Sequence, residues 1–464
     1  MKYFIQNLGC QMNQADSERI QSVFGQMGLE RTDDEAQAGV LGIVACSVRQ
    51  KAIDKVYSKI HEWNRRKEHE NLVTFVSGCI LPADEEKFLD RFDLVFPIAD
   101  LPRVPDLFRQ YGVVTPLSQF TGQVRVPPAA TLRDRLGVAS LEPFWNVTPA
   151  YSSSFEAFVP IQNGCDKFCT FCAVPYTRGR EVSRPSEAIL GEVETLVAKG
   201  YKSITLLGQN VNSYGLDRAG TERTFAELLA EVGRFGERVG RPFWTYFTSP
   251  HPRDMSREVL ETIASYPVLA KQIHLPLQSG DDHVLIRMNR NHTMERYRTV
   301  VDQVRELLPE ATLFTDIIVG FTGETDEQFQ NTRRAMEEFR YQMAFVAQYS
   351  PRPGAASARW VDDVGAEAKK ERLRVLTEVL RETSLEYNRT LVGRTLPVLV
   401  EKADRKAGFL SGRTEGRVTV RFRHDDESLV GSFVPLTIRS AVPFSVEGEL
   451  AELPVLARER IFSP

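Results

Sequence analysis

Six cysteines carry the strongest chemical signal in the chain. They fall into two sets of three: Cys10, Cys46 and Cys79, then Cys165, Cys169 and Cys172. The second set lies within GCDKFCTFC, Gly164–Cys172, spaced C-x3-C-x2-C with no fourth cysteine nearby. A structural zinc site or an electron-transfer cluster ordinarily takes four ligands. Thiolates are soft donors that suit iron–sulfur clusters. A four-iron cluster needs one ligand per iron, so three cysteines leave one iron open to bind a substrate. A lone intracellular cysteine is by default a small buried apolar residue, but that default does not explain two sets of three. The seven histidines are scattered, and none shows zinc-site spacing.

The elements that must position these thiols can be read from the apolar pattern. Residues 1–110 alternate the runs KYFIQNL, VLGIVA, LVTFVS and DLVFPI with helical stretches such as Ser17–Met27 and Lys51–His69. That alternation predicts a parallel sheet with helices on both faces. Cys10, Cys46 and Cys79 each follow an apolar run, at the strand ends where open α/β sheets bind ligands. Thiols 36 and 33 residues apart then converge in space. Residues 111–153, rich in Pro, Ser and Ala, read as a long connection. From 154 to 350 six apolar strands alternate with helices, which predicts a full or partial parallel barrel. The three-cysteine loop follows its first strand, EAFVPIQ, at the carboxyl end where such barrels keep their chemistry. Residues 364–387 form one amphipathic helix. Four short strands after it, LPVLVEK, GFLSGR, GRVTVRF and FVPLTIRSA, predict a small all-β barrel. The fold class is therefore α/β with an all-β tail. Its expected units are 1–115, a linker 116–153, 154–387 and 388–455.

The 464 residues are 42% apolar and 26% charged, as expected of a soluble protein. A net charge of −4 excludes coating nucleic acid by bulk charge. Between Arg389 and Arg423, however, nine Lys or Arg face three Asp or Glu. That excess is either a phosphate-contacting face or a solvated strand surface. The start, MKYFIQNLGCQMNQ, lacks the features of a signal peptide, and no apolar stretch is long enough to cross a bilayer. A cytoplasmic protein without membrane contact or disulfides is expected.

C-x3-C-x2-C with an aromatic, Phe171, before the last cysteine resembles the signature of radical S-adenosylmethionine (radical SAM) enzymes. Further stretches are similar to the methylthiotransferases of that superfamily. They are LGCQMN (Leu8–Asn13), ACSVRQKA (Ala45–Ala52), SGCILP (Ser77–Pro82), GCDKFCTFCAVPYTRGREVSRP (Gly164–Pro185), LLGQNVNSYG (Leu206–Gly215), TSPHP (Thr248–Pro252), LPLQSG (Leu275–Gly280) and DIIVGFTGET (Asp316–Thr325). The all-β tail resembles the family's RNA-binding TRAM domain. LGCQMN, PYTRGREVSRP and LLGQNVN look most like the MiaB-type branch, which acts on isopentenyladenosine beside the tRNA anticodon. Departures from the family pattern are Val44-Ala45 before Cys46, Thr322 in FTGET, and Pro250 inserted before His251.

The resemblance implies two 4Fe–4S clusters, one on Cys165, Cys169 and Cys172 and an auxiliary one on Cys10, Cys46 and Cys79. It implies two molecules of S-adenosylmethionine per turnover, one giving the methyl group and one cleaved to a radical that removes hydrogen from adenosine C2. That hydrogen is too weakly acidic for a general base near neutral pH. Implied partners are a tRNA anticodon stem-loop, an electron donor such as flavodoxin or ferredoxin, and a sulfur or cluster carrier; the chain is expected to be a monomer. Methylthiolation of threonylcarbamoyladenosine or of a ribosomal-protein side chain is the alternative within the family. An RNA-binding protein with structural zinc is the alternative outside it.

Among single residues, Gln209, Gln278, Asp316 and Phe171 are the candidates for holding the cosubstrate. Gln209 follows a strand where the family contacts the amino group of S-adenosylmethionine, or it is an ordinary strand-to-helix turn. Gln278 and Asp316 sit at strand ends on the expected active face, or they cap helices. Arg178 and Arg180, after the cluster loop, are candidates to grip tRNA phosphate or the cosubstrate carboxylate. Arg413 and Arg417 are the candidate RNA contacts of the tail.

Overall fold

The computed structural model describes residues 1–47, 50–111 and 141–451. The first unit is an all-parallel sheet of β1 (Lys2–Asn7), β2 (Glu30–Arg31), β3 (Val40–Cys46), β4 (Val73–Cys79) and β5 (Leu94–Val95), in the order β2-β1-β3-β4-β5. VLGIVAC of β3 is buried throughout, because a parallel sheet covered on both faces needs an unbroken apolar run. Helix α1 (Gln11–Gln26) lies on one face. There Phe24 meets the rings of Tyr3, Phe75 and Phe108 edge-on at 5.1–5.3 Å. The helix Gln50–Arg66 covers the other face, burying Ile53, Val56, Ile60 and Trp63. Leu141, Phe144 and Trp145 pack back onto the α1 face. This end of the expected linker thus belongs to the first unit, and residues 112–140 lie outside the described residues.

The second unit begins with β6 (Glu156–Pro160) and a small antiparallel pair, β7 (Gln162–Asn163) and β8 (Val182–Ser183). It continues with β9 (Ser203–Leu207), β10 (Trp244–Phe247), β11 (Gln272–His274), β12 (Thr312–Val319) and β13 (Met343–Gln348). The parallel sheets β10-β9-β6 and β11-β12-β13 are joined by a bridge between Thr245 and Leu269. Six parallel strands in sequence order, with no ladder between β6 and β13 among the described residues, make a partial barrel. Ala157, Val159, Ile204, Leu206, Phe247, Ile273, Ile317 and Val319 face the outer helices in the largest core. Strand alternation therefore turns Phe158, Leu207, Tyr246, His274, Phe314, Asp316 and Phe345 inward.

Other parts of the chain close the inner space. Met12 and Ala15 of α1 pack on Phe158 and Leu207, so the first unit lines the β6 side. The tail closes the floor. It is a closed barrel of β14 (Thr395–Ala403), β15 (Phe409–Thr414), β16 (Thr419–Arg423), β17 (Phe433–Val442) and β18 (Ser445–Leu450), ordered β14-β15-β16-β18-β17. The fifth strand, SVEGEL, lacks an apolar run. The turn between β15 and β16 enters the strands' amino ends. Glu415 Oε1 accepts from Lys271 N at 2.9 Å, Gly416 O from Thr312 Oγ1 at 2.8 Å, and Glu415 O from the Tyr246 hydroxyl at 2.9 Å. Arg417 donates to Thr205 Oγ1 at 2.9 Å and lies 4.1 Å over the Tyr246 ring. The expectation that Arg417 contacts RNA is thereby corrected: its guanidinium points into the barrel.

Candidate active site at two cysteine triads

The loop bearing Cys165, Cys169 and Cys172 leaves the carboxyl end of β6 through β7. Gly164 stands before Cys165 at φ 82°, and a Cβ there would lie 1.9 Å from Arg180 O, so only glycine lets the loop fold back. Cys165 N donates to Gly179 O at 3.1 Å and Cys172 N to Cys169 O at 2.9 Å. A second segment clamps the loop from outside. Asn289 Nδ2 donates to Lys167 O and Phe168 O at 3.2 and 3.0 Å, and Thr170 N to Met288 O at 3.0 Å. Arg290 Nη1 donates to Cys169 Sγ at 3.4 Å. Phe171 packs beside Val284, Met288, Phe321 and Tyr349, which orients the backbone between the last two cysteines.

Cys46 and Cys79 end neighbouring strands and are register partners. Cys10 caps α1 at its amino end. Asn13 ties the three together. Its Oδ1 accepts from Cys10 N at 3.3 Å and from Cys10 Sγ at 3.4 Å, and its Nδ2 donates to Ala45 O at 2.9 Å and lies 3.8 Å from Cys79 Sγ. Gly78 precedes Cys79 at φ 106°, and a Cβ there would crowd Ala45 O at 2.6 Å and Asn13 Nδ2 at 2.8 Å. The sequence signal for these supports was present: three of the six cysteines directly follow a glycine, and Asn13 sits three residues into the helix that Cys10 begins.

All six cysteines are thiols rather than disulfides. Burial pushes the thiols of Cys79, Cys165 and Cys172 up to about 12, so alone they stay protonated at neutral pH. Cys172 is raised further by Cys169 and also by Cys46, which puts the two triads within electrostatic reach of each other. Among the described residues no group of three His, Cys, Asp or Glu is already drawn together around a single metal ion, but the chemistry of each set, three soft sulfur donors, suits an iron–sulfur cluster. Buried thiols that ionise only beside a strong cation are ligands in waiting, and each set has an N–H aimed at a sulfur: Val174 N to Cys172 Sγ at 3.5 Å, Arg290 to Cys169, and Arg178 Nε to Cys79 Sγ at 2.9 Å.

Buried polar atoms without a partner cluster at the same strand ends: Gln162 Oε1, Gln209 Oε1, Asn210 Oδ1, and Nε2 of His251 and His292. Buried polar groups are rarely left unpaired, so this lining fits a polar ligand. Asn210 Nδ2 and Lys167 Nζ both reach Asp254 Oδ2, at 3.2 and 2.6 Å. Next to Pro250, His251 N donates to the Asn212 amide oxygen at 2.8 Å and His251 O accepts from the Asn212 amide nitrogen at 2.9 Å. Gln278, at φ 74°, bridges to Ile317. Asp316 Oδ2 is 2.7 Å from His274 Nε2 deeper in the barrel, and the Phe345 ring lies 6.0 Å from His274. Phe345 is 55% exposed although it faces inward, so this wall of the barrel is open.

Arg178 departs from expectation. Its side chain is 3% exposed and joins Asp16, Asn163 and Cys79, so RNA phosphate does not reach it. Arg180 stays at the surface, 5.3 Å over the Phe168 ring and 3.4 Å from Asp166. Arg413 is part-exposed and pairs with Glu401 at 3.4 Å.

Residues 159–336 match the Radical SAM superfamily, residues 2–97 the uncharacterized protein family UPF0004, and residues 389–451 the TRAM domain. The tRNA-2-methylthio-N(6)-dimethylallyladenosine synthase of Hahella chejuensis is 37% identical over 97% of this chain and 98% of its own. That of Chromohalobacter salexigens is also 37% identical, with the same coverage. The chain belongs to the radical SAM methylthiotransferase family. Membership makes it an enzyme whose chemistry uses an iron–sulfur cluster and S-adenosylmethionine. A solved radical S-adenosylmethionine methyltransferase, TsrM from Kitasatospora setae, shares the fold at a TM-score of 0.51 and 14% identity, covering 93% of this chain and 83% of that one. Among the described residues no helix is long and apolar enough to cross a membrane.

Proposed function

We propose that the protein is a tRNA 2-methylthio-N6-isopentenyladenosine synthase of the cytoplasm, acting at C2 of the modified adenosine at tRNA position 37. The observation that carries this reading is the meeting of two three-thiol sites at one barrel mouth, beside an open, partly aromatic wall. Cys165, Cys169 and Cys172 hold one 4Fe–4S cluster, and Cys10, Cys46 and Cys79 hold an auxiliary one. Once loaded, the first centre supplies one-electron cleavage of S-adenosylmethionine and the second supplies the sulfur that is methylated and delivered, using two S-adenosylmethionine molecules per turnover.

The chain's own residues bind, orient and exclude water. Gln209 Oε1 accepts from the cosubstrate amino group, Arg290 neutralises charge beside Cys169, and Gln278 and Phe171 shape the cosubstrate's place. Asp316, fixed by His274, holds the cosubstrate with them, and the ring of Phe345 faces the flipped base. An anticodon-loop adenosine must leave its stack to enter the barrel through the open wall. On the TRAM barrel the exposed Lys402, Arg405, Lys406 and Arg423, with Arg413, contact phosphate, and Arg180 does so beside the mouth. A low-potential donor such as flavodoxin or ferredoxin supplies the electron, and a carrier replaces the sulfur.

The test is anaerobic reconstitution with S-adenosylmethionine, reductant, sulfide and tRNA bearing isopentenyladenosine, read by mass spectrometry of the digested nucleosides. A methylthio addition that is lost in both Cys169→Ala and Cys46→Ala is expected. Formation of 5′-deoxyadenosine without that addition would refute the acceptor, and the assay is then repeated with threonylcarbamoyladenosine tRNA.

A further inference from the structure

We infer that Arg178 is a positioning residue of the auxiliary centre, through which the loop of the first cysteine triad sets the reduction potential of the second. The inference rests on the reading that Cys10, Cys46 and Cys79 hold an iron–sulfur cluster. Arg178 ends the short helix Val174–Arg178, only six residues beyond Cys172. It belongs by sequence to the first site and by contact to the second.

Each arm of its fork is used. Nε donates to Cys79 Sγ at 2.9 Å, Nη1 to Asn163 Oδ1 at 3.0 Å, and Nη2 to Asp16 Oδ2 at 2.5 Å. Asn163 in turn donates to Arg178 O at 3.0 Å, which fixes the residue's backbone as well. Asp16 is fully buried in α1, the helix that begins at Cys10 and carries Asn13.

A buried ion pair is a poor stabiliser compared with apolar residues of the same volume, so packing alone gives no reason for one here. A planar guanidinium does give a reason: it holds a cationic N–H on a sulfur while two carboxyl- or amide-bearing partners lock its plane. Lysine, a point charge on a flexible stem, cannot make all three contacts. Hydrogen bonds and positive charge at cluster sulfurs favour the reduced, more negative state and raise the potential. The same arginine ties the strand end carrying Cys79 to the loop carrying Cys165–Cys172, so a shift of that loop is felt at the auxiliary sulfur.

The experiment uses the full chain with Cys165, Cys169 and Cys172 changed to alanine, reconstituted so that iron binds only at the auxiliary triad. Iron content and the midpoint potential, titrated with paramagnetic resonance detection, are compared with Arg178→Lys and Arg178→Gln in that background. The expected result is a potential shifted to more negative values, further for glutamine than for lysine, at an iron content equal to the parent's. Potentials unchanged in both variants overturn the inference and leave the cluster reading intact. If the glutamine variant fails to retain iron, the lysine variant decides by the same criterion. A parent that takes up no iron overturns both the inference and the cluster on Cys10, Cys46 and Cys79. A merely structural role for Arg178 would alter thermal stability without moving the potential.

Discussion

Replacing Arg417 by alanine separates two roles that the same charge could serve. If the guanidinium fastens the TRAM turn into the barrel floor, the variant loses a charged hydrogen bond to the buried Thr205 hydroxyl and a cation over Tyr246 at 4.1 Å. A hydrogen bond to a charged group contributes about 1.5–3 kcal/mol, and a part-desolvated cation–π contact about 0.5–2 kcal/mol. Arg417 is only part-buried, so the loss is set at about 2–4 kcal/mol, a factor of about thirty to several hundred in local opening. The reporter is the Lys271 amide, which donates to Glu415 Oε1 in the same plug. Hydrogen exchange there should accelerate by that factor. A double-mutant cycle with Thr205→Ala should show coupling of about 0.5–3 kcal/mol. A phosphate contact predicts the reverse: unchanged exchange, weaker tRNA binding, and a salt slope smaller by about one. That pattern would refute the placement of Arg417 in the floor.

Other expectations follow from single contacts. Gly164→Ala forces a Cβ to 1.9 Å from Arg180 O, so iron at the first triad should be lost while the auxiliary triad still loads, as counted in the two single-site backgrounds. Phe345→Ala, at a position 55% exposed, should leave thermal stability unchanged. It should lower kcat/KM for tRNA by about 5- to 150-fold, since a base stacked on an aromatic ring is worth about 1–3 kcal/mol. His292 is held to about 4 by burial and by Arg290, below the about 6.5 of an unfolded histidine. Its contribution is therefore complete above pH 6.5 and is lost as pH falls from there toward 4, on the order of 3 kcal/mol. His292→Phe should flatten that limb of a thermal-midpoint profile.

Much of the architecture was legible because apolar runs mark parallel strands. VLGIVA and LVTFVS announce β3 and β4, and Cys46 and Cys79 lie just where those runs stop. Residues whose meaning depends on direction were not. Arg178 reads as a grip for tRNA phosphate or cosubstrate carboxylate and Arg417 as an RNA contact, since sequence gives a charge without saying which way it points; one faces Cys79 and the other Thr205. Asn13 and Arg290 were overlooked because neither is a ligand, although each holds a sulfur. Strand β18 was missed because SVEGEL pairs through its backbone and offers a single fully buried side chain, Val446. The pairing of Asp316 with His274 joins residues 42 apart, beyond any local pattern.

The turn that closes the barrel floor comes almost last in the chain, and this dictates an order of birth. Domains form from the amino end during synthesis, at about 5–20 residues per second. A nascent chain that has emerged only as far as β13 has its cysteines and all six barrel strands, yet Trp244 and Tyr246 still face water through the bottom of the barrel. They are covered only when Leu399 and Phe433 arrive, together with the Glu415–Arg417 turn. The TRAM end is thus also a late piece of the barrel floor, and a message truncated before Thr414 encodes all six cysteines but not the turn that covers Trp244 and Tyr246 from below.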